Sequence, residues 1–256
     1  MSDYPFLLNE ELLRADIDKK AASFRDGQPF PHIVIDHFLS EDHIRFLVDR
    51  FPVPTHPVWL DWRVRSPHHY GKLGPGDSSK FALLEPAFLM ALQEFNSWKF
   101  LNFLEALTGI QGLIPDPYFS GGGLHQIITG GILDIHTDFN DYKKLQLYRR
   151  LNVLIYLNED WEESWNGCLE FWDGGAANGK CVKSIAPLLN RAVVFETDKA
   201  SFHGHPVPWN APNETTRKSI ALYYYTAWKK EFAVYDGVTD FQGISTRPLP
   251  AADSDS

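Results

Sequence analysis

From Gly121 onward the chain is cut by turn residues into short apolar runs, and nothing else in it constrains the fold as tightly. The runs cover 125–128, 132–137, 150–157, 168–172, 181–185, 192–196, 201–203 and 219–226, with Gly, Asn, Asp and Pro between them. Each is too short for a helix, and no helical stretch alternates with them as βαβ units would require. The pattern predicts a mainly β fold with flanking helices, its core a double-sheet β-roll or sandwich.

The first 120 residues read differently. Residues 9–26 place Leu12, Leu13, Ile17, Ala21 and Ala22 near a helical period, with Asn9 available as a cap. Residues 29–38 look extended, and Ser40-Glu41-Asp42 opens a second helix that runs to about Arg50. The stretch 59–80 is rich in Gly, Pro and Ser and reads as a long loop, a candidate lid carrying Trp62, Arg63, Arg65, His68, His69 and Tyr70. Residues 85–109 return to a helical pattern that ends at Gly109. The expected organisation is therefore a layer over 1–120 packed on the core rather than an independent domain, a β core over 121–249, and a small acidic tail over 250–256 without fixed structure.

Composition narrows the partners. A chain of 256 residues with 44% hydrophobic and 14% aromatic content can bury a large core. Its net charge of −9 gives no electrostatic grip on nucleic acid or anionic lipid. No apolar stretch approaches the roughly 20 residues of a membrane helix, and the N-terminus lacks a signal-like pattern. Two cysteines, Cys168 and Cys181, fit a reducing compartment, so the expectation is a cytoplasmic protein. The composition sets no oligomeric state.

The residues that carry chemistry start with His136-Thr137-Asp138. On a strand, residues i and i+2 share a face, so His136 and Asp138 can converge on one metal while Thr137 points away. A third ligand from a distant strand would make a facial triad of two imidazoles and a carboxylate, leaving positions open for an oxo acid and O2. His203 and His205 both qualify as that ligand, and alternation cannot separate them. Closed structural zinc would call for four protein ligands, usually with Cys, and neither cysteine lies in a CxxC-like pair. Arg217 and Lys218 are the candidate cations for an anionic co-substrate, and only one of them can face inward. His125 lies next to Gln126 and should face the opposite side in a structural role, while Glu170 and Trp172 read as ordinary sheet residues.

These motifs occur in a recognisable order. His136-Thr137-Asp138 is followed by Arg149-Arg150-Leu151-Asn152-Val153-Leu154-Ile155-Tyr156-Leu157-Asn158 with Asp160-Trp161, then Gly167-Cys168-Leu169-Glu170, Ser201-Phe202-His203 and Arg217-Lys218-Ser219-Ile220-Ala221-Leu222-Tyr223. The series resembles the Fe(II)- and 2-oxoglutarate-dependent dioxygenases of the prolyl 4-hydroxylase-like branch, and 29–36 looks like the start of such proteins. The resemblance implies a double-stranded β-helix core, a cupin-like jelly roll. It implies His136, Asp138 and His203 as iron ligands and Arg217 as the partner of the distal carboxylate of 2-oxoglutarate. It also implies Tyr156 as a hydrogen-bond donor to that carboxylate, with Asn152 on the same inward face and Gln126 near the oxo acid.

The activity implied is hydroxylation of an amino-acid-like, prolyl or small-metabolite C–H bond, with O2 consumed, succinate and CO2 released, and ascorbate accommodated as a reductant. The substrate is a small molecule or a peptide. Related halogenases lack the carboxylate at the position of Asp138, so its presence here points to an oxygenase outcome. The competing expectation is a jelly-roll module that binds a metal or a sugar without redox chemistry.

Overall fold

The computed structural model describes residues 8–61, 67–175, 178–227 and 239–244. The expected tail at 250–256, the last residues of the expected core segment and Trp62, Arg63 and Arg65 of the expected lid lie outside them.

Among the described residues, fourteen strands form two antiparallel sheets. They are β1 (His32–Ile35), β2 (Leu60–Asp61), β3 (Lys72–Gly74), β4 (Ile114–Pro115), β5 (Gly123–Ile127), β6 (Leu133–Thr137) and β7 (Asp141–Tyr142), then β8 (Leu147–Tyr156), β9 (Leu169–Asp173), β10 (Lys180–Ile185), β11 (Ala192–Glu196), β12 (Phe202–His205), β13 (Arg217–Thr226) and β14 (Asp240–Phe241). The larger sheet runs β1-β11-β8-β13-β5-β3-β2, with β4 on β13 and β7 on β8, and the smaller runs β10-β9-β12-β6-β14. This is the double-stranded β-helix, and each of the eight apolar runs in the sequence supplies one of its strands.

Five helices cover the outer face of the larger sheet: α1 (Glu10–Arg14), α2 (Ile17–Arg25), α3 (Glu41–Asp49), α4 (Pro86–Glu94) and α5 (Trp98–Thr108). The single helix expected over 9–26 is two. Asn9 does cap the first, accepting from the backbone N–H groups of Glu11 and Leu12, but Asp16 takes a left-handed conformation with φ 52° and breaks the helix there. The helix expected over 85–109 also divides, because Ser97 is extended and starts a new N-terminus after Asn96. The 59–80 stretch is not simply a loop, since β2 and β3 add to the edge of the larger sheet beside β5.

The larger sheet is buried on both faces, and alternation through its middle divides its side chains between two environments. On β8, Leu151, Val153 and Ile155 join the main core under the helices, as do Ile220 and Leu222 on β13 and Leu124 on β5. Asn152 and Leu154, Ser219 and Ala221, and His125 and Ile127 face the space between the sheets. Burying one such Leu or Ile contributes roughly 1.5–3 kcal/mol. A one-residue slip of β13 would lose several of these at once and send Arg217 into the helix layer, so the apolar face fixes the register of the polar one. Tyr156, Phe171, Val193, Phe195 and Phe30 close the far end of the roll with a second apolar cluster.

Candidate active site

His136 on β6 and His203 on β12 are directly paired across the smaller sheet. Each imidazole donates from Nδ1 to a backbone carbonyl two residues earlier, His136 to Asp134 and His203 to Ser201, both at 2.8 Å. That bond fixes the tautomer and leaves both Nε2 lone pairs facing inward. Asp138, just past the end of β6, lies between them, with His136 Nε2 3.7 Å from Oδ1 and His203 Nε2 3.3 Å from Oδ2. One atom from each of the three residues can be chosen so that all lie within 4.8 Å of one another, and all three residues are buried. Two neutral imidazole nitrogens and one carboxylate, with no cysteine in the cavity wall, form a donor set suited to ferrous iron.

Asp138 is held from behind. Asn152 Nδ2 donates to its Oδ2 at 2.7 Å, and Arg149 Nη2 lies 3.0 Å from the same oxygen. Arg149 also donates through Nε and Nη2 to Asn152 Oδ1 and stacks on the Tyr223 ring at 3.5 Å. Burial alone would raise the Asp138 pKa, but the charge of Arg149 and the two imidazoles outweigh it and leave the carboxyl well below its usual range. Asp138 therefore stays ionised for a metal. Burial pushes His136 down, as does the nearby His203, which keeps its imidazole neutral.

Across the cavity, Arg217 opens β13 and is fixed by two of its own donors. Its Nε donates to the Gly167 carbonyl at 2.6 Å and its Nη2 to Tyr156 Oη at 3.2 Å. Because Tyr156 accepts from Arg217, its own O–H is free to donate to an anion. Burial raises the Tyr156 pKa, against the opposing charge of Arg217, so the phenol keeps its proton. Arg217, with Tyr156 bound behind it, offers a carboxylate clamp to a cavity of about 230 Å³ that has the His-Asp-His cluster in its wall.

Of the rival cations, Lys218 lies 5.8 Å from the Phe51 ring on the other face, while Arg217 lines the cavity. His205 shares the cavity with His203, as alternation requires, but stands outside the three-residue cluster, with Nδ1 lacking a hydrogen-bond partner among the described residues. Gln126 departs from expectation. It turns away from the cavity, accepting from Thr216 Oγ1 at 2.7 Å, and it is His125, expected on the structural side, that lines the cavity and donates to the Gly121 carbonyl at 2.9 Å. The strand alternates as expected but in the opposite phase, because Leu124 must face the helices and Gln126 shares its side. Asn152 faces inward and meets Asp138. Trp209 is fully buried, its indole donating to the Thr215 carbonyl at 2.7 Å, so its loop is packed rather than open. Trp172 donates to Glu170 at 2.8 Å, and neither lines the cavity.

The cavity also holds Arg149 and Lys72, which the sequence pattern did not single out. Alternation along β8 assigns Arg149 to the helix side. The pairing with β13 slips between Tyr224 and Tyr225, whose partners are Leu151 and Arg149, so Arg150 is an extra residue and the phase reverses at Arg149. Arg150 itself is directed to Glu196.

Residues 122–225 match the family model described as the 2OG-Fe(II) oxygenase superfamily. Over this segment the chain is similar to that superfamily. The matched segment carries all of the triad and the clamp, and the cofactors of that superfamily, ferrous iron and 2-oxoglutarate, fit the donor set and the cation found here. Among curated proteins, prolyl 3-hydroxylase OGFOD1 of Mus musculus is 33% identical over 79 residues, 30% of this chain; the match spans 14% of that protein's length. Among solved structures, a prolyl hydroxylase in complex with a hypoxia inducible factor peptide fragment, from Trichoplax adhaerens, superposes with a TM-score of 0.55 at 17% identity, covering 84% of this chain and 91% of the other. The non-heme alpha ketoglutarate dependent epimerase SnoN from nogalamycin biosynthesis superposes with a TM-score of 0.56 at 14% identity, covering 83% and 84%. At these identities the superpositions speak for the fold, and the fold serves more than one reaction. No helix among the described residues is long and apolar enough to cross a membrane.

Proposed function

We propose that this oxygenase is an Fe(II)- and 2-oxoglutarate-dependent hydroxylase acting on an amino-acid-like C–H bond, a prolyl residue in a peptide or a related small molecule. His136, Asp138 and His203 hold the iron, and Arg217 with Tyr156 hold the distal carboxylate of 2-oxoglutarate. The observation that carries this reading is the placement of Arg217, which lines the same cavity as His136, Asp138 and His203. A binding module without redox chemistry has no need of both.

When bound, the iron supplies oxygen activation coupled to oxidative decarboxylation of 2-oxoglutarate, with ascorbate as a reductant when turnover is uncoupled. The residues supply position and environment. Arg217 and Tyr156 set the depth to which the oxo acid enters. Asn152 and Arg149 hold the Asp138 carboxylate against rotation, so its free oxygen keeps one orientation. Leu154, Leu169 and Phe195 exclude water from the wall near the metal, which protects the oxidant from quenching. Asp138 itself favours an oxygenase outcome over halide transfer.

The reading is tested by screening prolyl peptides, free amino acids and small metabolites for stimulated succinate formation, followed by mass analysis of the stimulating compound. A gain of one oxygen is expected. Stimulated turnover that leaves every candidate unmodified would overturn the hydroxylase assignment.

A further inference from the structure

The cavity is far more positive than the chain around it. The protein carries a net charge of −9, yet the described residues of the cavity wall hold three fixed cations, Lys72, Arg149 and Arg217, against one carboxylate, Asp138. Two of the cations are committed. Arg149 is bound to Asp138 and Asn152, and Arg217 to Gly167 and Tyr156. Among the described residues, Lys72 makes no hydrogen bond or ion pair.

Register places Lys72 apart from the clamp. Lys72 on β3 and Arg217 on β13 both pair with Ile127 of β5, from opposite sides, and all three line the cavity. At the usual strand spacing their backbones stand about 10 Å apart. The charges that act on the Lys72 ammonium are Asp138, which attracts it, and Arg149, which repels it. Its ammonium is also within electrostatic reach of His69, His125 and His205 in the same cavity wall, so it stands one strand pair away from Arg217 beside the metal-binding cluster.

Resting on the hydroxylase reading above, we propose that Lys72 binds a carboxylate of the primary substrate. Bound ferrous iron and doubly negative 2-oxoglutarate cancel in charge, and Asp138 offsets one of the three cations, so the loaded site still attracts an anion. A half-buried ammonium without a counter-ion is costly, and a substrate carboxylate removes that cost. Burial lowers the Lys72 pKa to about 8, so the group remains mostly charged at neutral pH. His69 and Phe241 flank the same part of the cavity, and burial holds His69 at about 4, a neutral neighbour that does not compete for the anion.

The test uses the full chain loaded with Zn(II) and N-oxalylglycine, an unreactive analogue of 2-oxoglutarate, so that the clamp is filled. Trifluoroacetate is then titrated as a carboxylate probe and followed by fluorine NMR. Saturable binding to the wild type is expected, weakened roughly ten- to hundredfold in Lys72→Met and kept within a few-fold in Lys72→Arg. N-oxalylglycine affinity should be the same in all three proteins, which also shows that the variants fold. Displacement of the probe by N-acetyl-L-proline would assign the carboxylate to a free main-chain terminus, and displacement by a capped Pro-Asp amide would assign it to an acidic side chain. Unchanged trifluoroacetate binding in Lys72→Met, or none to the wild type, overturns the assignment. So does a parallel loss of N-oxalylglycine, which would make Lys72 a co-substrate ligand. Failure of the wild type to bind N-oxalylglycine removes the hydroxylase reading itself, a different result from the others.

Discussion

Replacing Arg149 with Met removes the cation behind Asp138 while keeping most of the side-chain volume. Arg149 is 2% exposed and Asp138 8%, so in metal-free protein the substitution leaves a carboxylate in the wall without its main counter-charge. Removing one partner of a buried ion pair typically costs about 3–5 kcal/mol. Two imidazoles beside Asp138 can take up part of the lost compensation, which puts the expected loss near the lower figure, about 3 kcal/mol. For a chain of this size that corresponds to a fall in Tm of roughly 6–12 °C. The assay is urea unfolding followed by tryptophan fluorescence, in the presence of a chelator. The double variant Asp138→Asn/Arg149→Met should recover much of the loss, because neither stranded charge remains. A loss below about 1 kcal/mol for Arg149→Met, the range of exposed pairs, or strict additivity in the double variant, would refute a desolvated pair.

Arg217→Met should raise the 2-oxoglutarate requirement by roughly ten- to hundredfold and Tyr156→Phe by a few-fold, read from succinate formation against 2-oxoglutarate concentration. Gly167 sits at φ +73°, and a Cβ there would lie 2.5 Å from Trp209 Cε3 and 3.1 Å from Arg217 Cδ; Gly167→Ala should therefore weaken N-oxalylglycine binding in calorimetry while leaving Mn(II) affinity within a few-fold. Burial holds His205 well below its usual pKa and His69 at about 4, so between about pH 4 and 6.5 the unfolded chain binds protons that the folded chain refuses. Stability should fall as pH drops from about 6.5 towards 5, as Asp138 also requires at lower pH; a midpoint that rises on acidification through this range would contradict this. Mn(II) at a hundred times its Kd should stabilise the wild type by about 2.7 kcal/mol in thermal unfolding, and Asp138→Ala should lose most of that gain.

The strand positions were readable because each apolar run between turn residues must bury one or both faces. The pairing of His136 with His203 was harder, since it depends on two distant strands meeting in register, and only the ordered motifs pointed to it. Alternation misled in two places for local reasons. The demand of Leu124 for the helix layer sets the phase of β5, which moves Gln126 out and His125 in. An extra residue at Arg150 reverses the phase of β8 and brings Arg149 behind Asp138. Lys72 was hidden for another reason: β3 is three residues long, lies within a Gly and Pro-rich stretch and gains its strand character by pairing with β2 and β5. The helix breaks at Asp16 and Ser97 follow from single backbone conformations that apolar periodicity does not register.

The most direct test of the central claim is conversion of 2-oxoglutarate to succinate by the purified chain, measured with and without ferrous iron and O2. The account predicts turnover that needs both, and its loss in Asp138→Ala and His203→Ala variants that remain folded. Succinate formation that survives intact in Asp138→Ala would contradict it.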